Sequence, residues 1–209
     1  MKRLFFLLFT CMISIPVASF AQKKSLEMDH ENFFRIGVKA GLNINKVKGK
    51  SFSDAFSYNY QLGGFLQFNL TNRIGIQPEI SFVQSSAEVT DDGTVIYDDI
   101  FGGGSQAKAK LSSLEIPLLL NVNIGNSKRV KFQIGPAFNT VLQEKFRNLY
   151  LQQDIYKKTE WSAITGIWFQ LPFINAGARY KLGLTNVNGI DNREDWKNQA
   201  FQLFVGFTF

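Results

Sequence analysis

Apolar and polar residues alternate along most of this chain, and the segment 111–124, "LSSLEIPLLLNVNI", shows the pattern clearly. Residues at every second position share one face of a β-strand. One face here is wholly apolar: Leu114, Ile116, Leu118, Leu120, Val122 and Ile124. The other face is mixed: Ser113, Glu115, Pro117, Leu119, Asn121 and Asn123. A carboxylate and two amides opposite a continuous apolar face are unusual for a soluble sheet, which would have to bury the apolar face.

The same period of two predicts eight strands, at about 34–46, 57–70, 73–89, 108–124, 130–143, 158–170, 173–185 and 197–209. The sixth is the weakest, because Ile164 and Trp168 fall on the face that is polar elsewhere. Pro78, Pro117 and Pro136 also lie inside predicted strands, where each removes a backbone donor. Either β-bulges or locally interrupted pairing would accommodate the prolines.

The lengths of the connections alternate strictly. Those after strands two, four and six are short ("TNR", "GNSKR" and "LP"), and the others are long and polar, such as "TDDGTVIYDDIFGGGSQA" at 90–107. Short periplasmic turns, longer outward loops and an even number of antiparallel strands are typical of outer-membrane barrels. Closure also leaves no unpaired strand edge in lipid. We therefore predict an all-β fold over residues 34–209, an eight-stranded antiparallel up-and-down transmembrane β-barrel located in the cell outer membrane.

The first residues, "MKRLFFLLFTCMISIPVASFAQ", predict a secretory signal peptide over 1–21, followed by a polar periplasmic leader over 22–33. The apolar run is shorter than the roughly 20 residues that a spanning helix needs. The sole cysteine, Cys11, lies in the signal peptide, so no disulfide is expected. Beyond it, 21 basic residues stand against 17 acidic ones. Such a small excess in an exported protein argues against a nucleic acid partner.

The polar faces of the strands predict a charged barrel interior. An eight-stranded barrel is narrow enough for side chains to nearly fill it, and charges in that space need paired, hydrogen-bonded partners. We expect a charge network centred on the two glutamates, in place of a wide pore. Its predicted members are Arg35, Lys39, Glu79, Glu115, Lys131, Arg179 and Lys181.

Three segments resemble, in order and spacing, the PorT-like outer-membrane β-barrel proteins of Bacteroidota: "IGIQPEISF" (74–82), "LEIPLLLNV" (114–122) and "FQIGPAF" (132–138). In addition, "FRIGVKAGLNIN" (34–45) after the signal peptide resembles the start of the mature domain in that family. The similarity covers nearly the whole chain after the signal peptide. It implies an outer-membrane barrel. One member group of this family assists protein secretion across the outer membrane, which makes envelope or secretion proteins possible partners.

The sequence offers little for catalysis or cofactor binding. His30 is the only histidine and no G-x-S-x-G motif is present, so a catalytic triad cannot be built and we predict no enzyme activity. The "GGG" at 102–104 lacks a following Gly-Lys-Ser/Thr, so no cofactor is expected. Two acidic loops lack a recognised metal-ligand spacing, and we interpret them as solvated. Their acids are Asp91, Asp92, Asp98, Asp99, Asp191, Glu194 and Asp195.

Seven lysines flank the predicted outward strand ends: Lys46, Lys48, Lys50, Lys108, Lys110, Lys157 and Lys158. They either contact phosphates of outer-membrane lipid, including lipopolysaccharide, or simply maintain solubility. Three functions fit a monomeric barrel of this kind. We favour a non-enzymatic protein that binds a partner or acts as an accessory in envelope assembly or protein secretion. A narrow solute or ion channel and a purely structural envelope protein are the alternatives.

Overall fold

The fold consists of eight β-strands that close into a single sheet. The computed structural model describes residues 32–49, 56–88, 108–125, 128–147, 157–189 and 195–209. The strands are β1 (Phe34–Lys48), β2 (Ser57–Asn69), β3 (Ile74–Glu88), β4 (Lys108–Asn123), β5 (Val130–Arg147), β6 (Thr159–Gln170), β7 (Ile174–Gly183) and β8 (Lys197–Thr208). All eight predicted strands are present, including the sixth. The predicted signal peptide and nearly all of the leader lie outside the described residues.

Each strand pairs antiparallel with its neighbours in sequence, and β1 pairs with β8 to close the barrel. The predicted eight-stranded up-and-down barrel is thereby confirmed. Short connections follow β2, β4 and β6 at one end. We name this end periplasmic and the other end extracellular, because short turns lie on the periplasmic side of outer-membrane barrels. The turn after β2 is closed by Thr71 N–H donating to the Ile74 carbonyl at 3.0 Å. Described residues contain no helix long and apolar enough to cross a membrane.

The apolar and polar faces are arranged inside out relative to a soluble protein. Large apolar side chains cover the outer wall, where Leu42, Leu62 and Leu118 are each at least half exposed. Lysine, arginine, glutamate and amide side chains are buried inside. Segment 111–124 follows this arrangement: its apolar face points outward, while Glu115 and Asn121 lie in the lumen. Leu119 on the same face is also buried, against Ala137 and Ile164.

The in-strand prolines interrupt pairing without changing the register. The β2–β3 ladder has a gap at Pro78, the β3–β4 ladder at Pro117, and the β4–β5 ladder at Pro136, and the register is the same on both sides of each gap. The irregularity in the β4–β5 ladder lies instead beside Ser112 and Ser113. Of the two alternatives left by the sequence, interrupted pairing is therefore the one observed.

Aromatic rings cover glycines directly across the ladder inside the barrel. Phe65 on β2 is the register partner of Gly37 on β1, and Phe204 on β8 is the partner of Gly177 on β7. A Cβ added to Gly37 would lie 2.4 Å from the Phe65 ring, and one added to Gly177 would lie 2.4 Å from the Phe204 ring. The glycines thus make the space in which these rings lie, a pairing that stabilises curved sheets.

Candidate functional site

The middle of the lumen is organised around the carboxylate of Glu79 on β3. Arg179, from β7 on the opposite wall, donates to both carboxylate oxygens at 2.8 Å. Lys39 from β1 forms a salt bridge with Oε2, and Gln77 donates to Oε1 at 2.7 Å. Gln133 accepts two bonds from the Arg179 guanidinium. Two cations from different strands therefore share one fully buried anion, in the bidentate geometry that arginine favours.

Aromatic side chains surround this charged centre. Phe65, Trp168 and Phe204 form a buried cluster, with the Trp168 ring 5.0 Å from that of Phe65 and 5.4 Å from that of Phe204, centroid to centroid. The Arg179 guanidinium carbon lies 4.5 Å from the Phe204 centroid, and Lys39 Nζ lies 5.0 Å from the same ring. Cation–π attraction therefore adds to the salt bridges in a setting that excludes water. We call these three rings the aromatic belt.

A second carboxylate, Glu115 on β4, lies nearer the extracellular end. Lys181 donates to Glu115 Oε2 and to Asn139 Oδ1, both at 2.8 Å, and Gln202 donates to Glu115 Oε1 at 3.1 Å. Lys181 Nζ is also 4.0 Å from Glu160 Oε2. Glu115 has no exposed surface, so its hydrogen bonds and its ion pair offset the cost of removing the charge from water.

Amide side chains fill the periplasmic end. Gln67 donates to Asn69 and to Gln170, and Lys131 donates to the same Asn69 oxygen at 3.3 Å. Arg35 lies at the rim, where its guanidinium donates to the main-chain carbonyls of Leu171 at 3.3 Å and Pro172 at 2.9 Å. These bonds join the first strand to the turn between β6 and β7 at the periplasmic rim.

The extracellular end holds a cavity of about 30 Å³. Its lining includes Asn43, Glu160, Lys181, Asn198 and Val187. A cavity of this volume holds about two water molecules, because one water molecule needs at least about 10–15 Å³. Asn43 Oδ1, Glu160 Oε1 and Asn198 Oδ1 are buried and accept no hydrogen bond from the described residues. These acceptors indicate a hydrated space and not an apolar one.

Residues that follow β7 are held together by hydrogen bonds at this end. Val187 N–H donates to the Trp196 carbonyl at 2.9 Å, and Lys157 N–H donates to the Val187 carbonyl at 2.9 Å. Asn186 Oδ1 accepts from the backbone N–H groups of Asn188 and Trp196. Trp196 is completely buried. Val187 also lines the cavity, so the described part of this connection forms part of the cavity wall at the extracellular end.

The structure places the seven predicted network residues at three levels. Lys39, Glu79 and Arg179 meet in the middle, Glu115 and Lys181 meet above them, and Arg35 and Lys131 bond to carbonyl and amide oxygens near the periplasmic end. Sequence reasoning missed Glu160 and the aromatic belt. The alternation of the sixth strand predicts that Trp168 faces inward. Because Trp168 is apolar and the inward face is polar elsewhere, this position made the sixth strand the weakest of the eight predictions.

Several sequence candidates lie outside the described residues. They are His30, Lys50, the glycines at 102–104, and the acids Asp91, Asp92, Asp98, Asp99, Asp191 and Glu194. Within the described ranges, no three His, Cys, Asp or Glu side chains are grouped so that they could bind a metal ion.

The profile of a family described as "outer membrane protein beta-barrel domain" matches residues 20–189. The chain belongs to this outer-membrane barrel family. Its location is therefore the outer membrane, in agreement with the apolar outer wall of the barrel. The family match is coarser than the predicted PorT-like assignment, which stays a prediction. No curated protein matches the chain.

Solved barrels of similar length match this outer-membrane barrel at low identity. Ail, the attachment invasion locus protein of Yersinia pestis, is 14% identical, covers 84% of this chain and 99% of its own, and has a TM-score of 0.49. OprG of Pseudomonas aeruginosa is 11% identical, with 84% and 95% covered and a TM-score of 0.49. Neisserial surface protein A is 13% identical, with 84% and 97% covered and a TM-score of 0.46.

Proposed function

We propose that this protein is a non-enzymatic and non-conducting scaffold of the outer membrane that binds a partner in envelope assembly or protein secretion. The observation that carries the proposal is the filled lumen. Glu79, its two cations and the aromatic belt occupy the middle of the barrel, and the cavity above them measures about 30 Å³. A barrel whose lumen is filled by side chains acts through the surfaces that it presents at its ends, as loops and rims on a rigid scaffold commonly do.

Lipid contact at the extracellular rim is part of the same proposal. Lys48, Lys110, Lys157 and Lys158 are exposed at the ends of β1, β4 and β6, and Lys46 is partly exposed. Lysine amines at the extracellular rim are positioned to contact the phosphates of outer-leaflet lipid, including lipopolysaccharide. Such contacts would hold the barrel, as a monomer, in a defined orientation toward its protein partner.

The filled lumen predicts an absence of steady ion conduction. Purified protein in planar lipid bilayers is expected to show no long-lived openings, because only much larger barrels enclose an open aqueous channel. Replacing Trp168 and Phe204 together with alanine removes two of the three belt rings, and we expect this variant to conduct measurably more than the wild type. Uniform, long-lived openings of the wild-type barrel would favour the channel alternative instead.

Partner binding is tested by chemical cross-linking in intact outer membranes, followed by purification in detergent and mass spectrometry. The proposal expects one envelope protein that is recovered in constant ratio to the barrel. An unrelated barrel expressed at the same level is the control for nonspecific recovery. Recovery of the barrel without any such protein would contradict the partner-binding role and support a purely structural one.

A further inference from the structure

The extracellular ends of β2 and β3 separate although the barrel is closed below them. The β2–β3 ladder ends at Gln61 and Val83, while β3 continues to Glu88 and stays paired with β4 as far as Glu88 and Lys108. Ser86 Oγ donates to Asn59 Oδ1 at 2.9 Å, and Asn59 is a lumen-facing, buried residue of β2. The end of β3 therefore lies on the lumen side of β2 instead of beside it.

Side chains from β1 form hydrogen bonds with the backbone groups of β3 that would otherwise pair with β2. Asn43 donates to the Gln84 carbonyl at 2.8 Å. Asn45 donates to the Ser86 carbonyl at 2.9 Å and accepts from the Ser86 N–H at 3.3 Å. The inward position of β3 is thus satisfied by hydrogen bonds and is not a frayed end.

The separation leaves one edge of β2 without a strand neighbour among the described residues. Continuing the β2–β3 register would place Tyr60 opposite Gln84 and Tyr58 opposite Ser86. Because hydrogen-bonded residues alternate along an antiparallel strand, the N–H and C=O groups of both tyrosines face the side that β3 has left. Tyr58 is 75% exposed and Tyr60 51% exposed. An exposed edge of this kind is a template for an additional strand.

Two lysine side chains flank this edge. Lys46 Nζ lies 5.2 Å from the ring of Phe56, which immediately precedes β2. On the other side, exposed Lys110 is the register partner of Ser86. A segment added along Tyr58 and Tyr60 would lie between these two amines, and acidic side chains would complement them.

We propose that the extracellular edge of β2, at Tyr58 and Tyr60, binds an extended, acidic segment of a partner protein by β-strand addition. Main-chain hydrogen bonds to the edge supply the attachment and the two lysines supply charge selectivity, as in other strand-addition complexes. The inference rests on the proposed partner-binding role and specifies the chemistry of the partner.

The first experiment tests whether β2 and β3 are separated at their extracellular ends. It uses the full chain with Cys11 replaced by serine. The pair N59C and S86C is expected to form a disulfide under mild oxidation in membranes, because these side chains are in contact. The pair Y58C and S86C, which would face each other in a continuous ladder, is expected to remain reduced. Rapid oxidation of the second pair and not the first would show that the β2–β3 ladder continues to these residues, which would overturn the inference.

The second experiment tests strand addition itself. A photo-reactive benzoyl-phenylalanine in place of Tyr58 is expected to cross-link, in intact cells, to an acidic segment of another protein. The same residue in place of Trp161, which is 52% exposed beside the paired β5–β6 ladder, is the control position. Adding Y60P is expected to reduce the adduct at least tenfold by removing an edge N–H, whereas Y60A, which keeps the N–H, is expected to retain it. K110E is expected to weaken the adduct.

Other outcomes overturn the inference in distinguishable ways. Adducts to residues 89–107 of the same chain, to a second copy or to lipid would each identify a different occupant of the edge. Equal adducts in the Y60P and Y60A variants would show that side chains, not the strand edge, make the contact. Absence of an adduct at Tyr58, with an envelope protein still recovered by general cross-linking, would leave the proposed function standing and refute the site.

Discussion

Replacing Glu79 with glutamine is expected to lower the free energy of unfolding of the barrel by about 3–5 kcal/mol, the cost typical of removing one partner from a buried ion pair. The Arg179 guanidinium and the Lys39 ammonium would then face each other across a neutral amide, without the carboxylate that both of them contact in the wild type. Urea titration of the barrel in detergent micelles, followed by the gel mobility of the folded form, measures the change.

Two further variants define the effect. D195N removes an exposed carboxylate and is expected to change the free energy of unfolding by less than about 0.5 kcal/mol. Adding K39M to E79Q removes one of the two uncompensated cations and is expected to restore part of the loss, a non-additivity that a double-mutant cycle detects. An E79Q barrel as stable as the wild type would contradict the central role of this carboxylate.

Replacing Gly37 with alanine is expected to destabilise the barrel by about 1–3 kcal/mol through overpacking. The new Cβ would lie 2.3 Å from the Phe207 carbonyl oxygen and 2.4 Å from the Phe65 ring, so both the ladder and the aromatic belt would have to shift. The same urea titration measures the loss.

Gly64 on the neighbouring strand provides the matched control. A Cβ there would meet its nearest atom, the Gly37 carbonyl oxygen, at an ordinary 3.5 Å. G64A is therefore expected to be neutral, or stabilising by up to about 1 kcal/mol because alanine loses less conformational entropy than glycine on folding. Equal losses in G37A and G64A would show that glycine flexibility, and not space for the Phe65 ring, determines stability here.

The fold could be predicted from the sequence because its strongest constraint is local. Alternation of apolar and polar residues assigns each strand two faces, and the short and long connections assign its two ends. This was sufficient even for β6, in which Ile164 and Trp168 face inward as the alternation requires. Their apolar character misled the interpretation because it treated the lumen as uniformly polar, whereas Trp168 packs against Phe65 and Phe204, and Ile164 against Leu119 and Ala137, inside the barrel.

The detailed contacts of the lumen could not be predicted, because they depend on register and tilt between strands far apart in sequence. Alternation placed Arg179 and Lys181 on the same face, but nothing in the sequence assigned the first to Glu79 and the second to Glu115. The separation of β2 and β3 could not be predicted either, because Tyr58 and Ser86 both lie in segments with ordinary strand composition. The match to the outer-membrane barrel family leaves these pairings undetermined as well.

The contact between Arg179 and Glu79 has a consequence for the order of folding. The two residues are 100 positions apart and lie on opposite walls, so they cannot meet until β7 has joined the sheet and the ring is nearly complete. A half-formed sheet in the membrane would carry both charges without their partner, in surroundings where unsatisfied polar groups cost several kcal/mol. Partial sheets are therefore disfavoured, and insertion and closure should occur as one cooperative step with a slow, topology-limited rate.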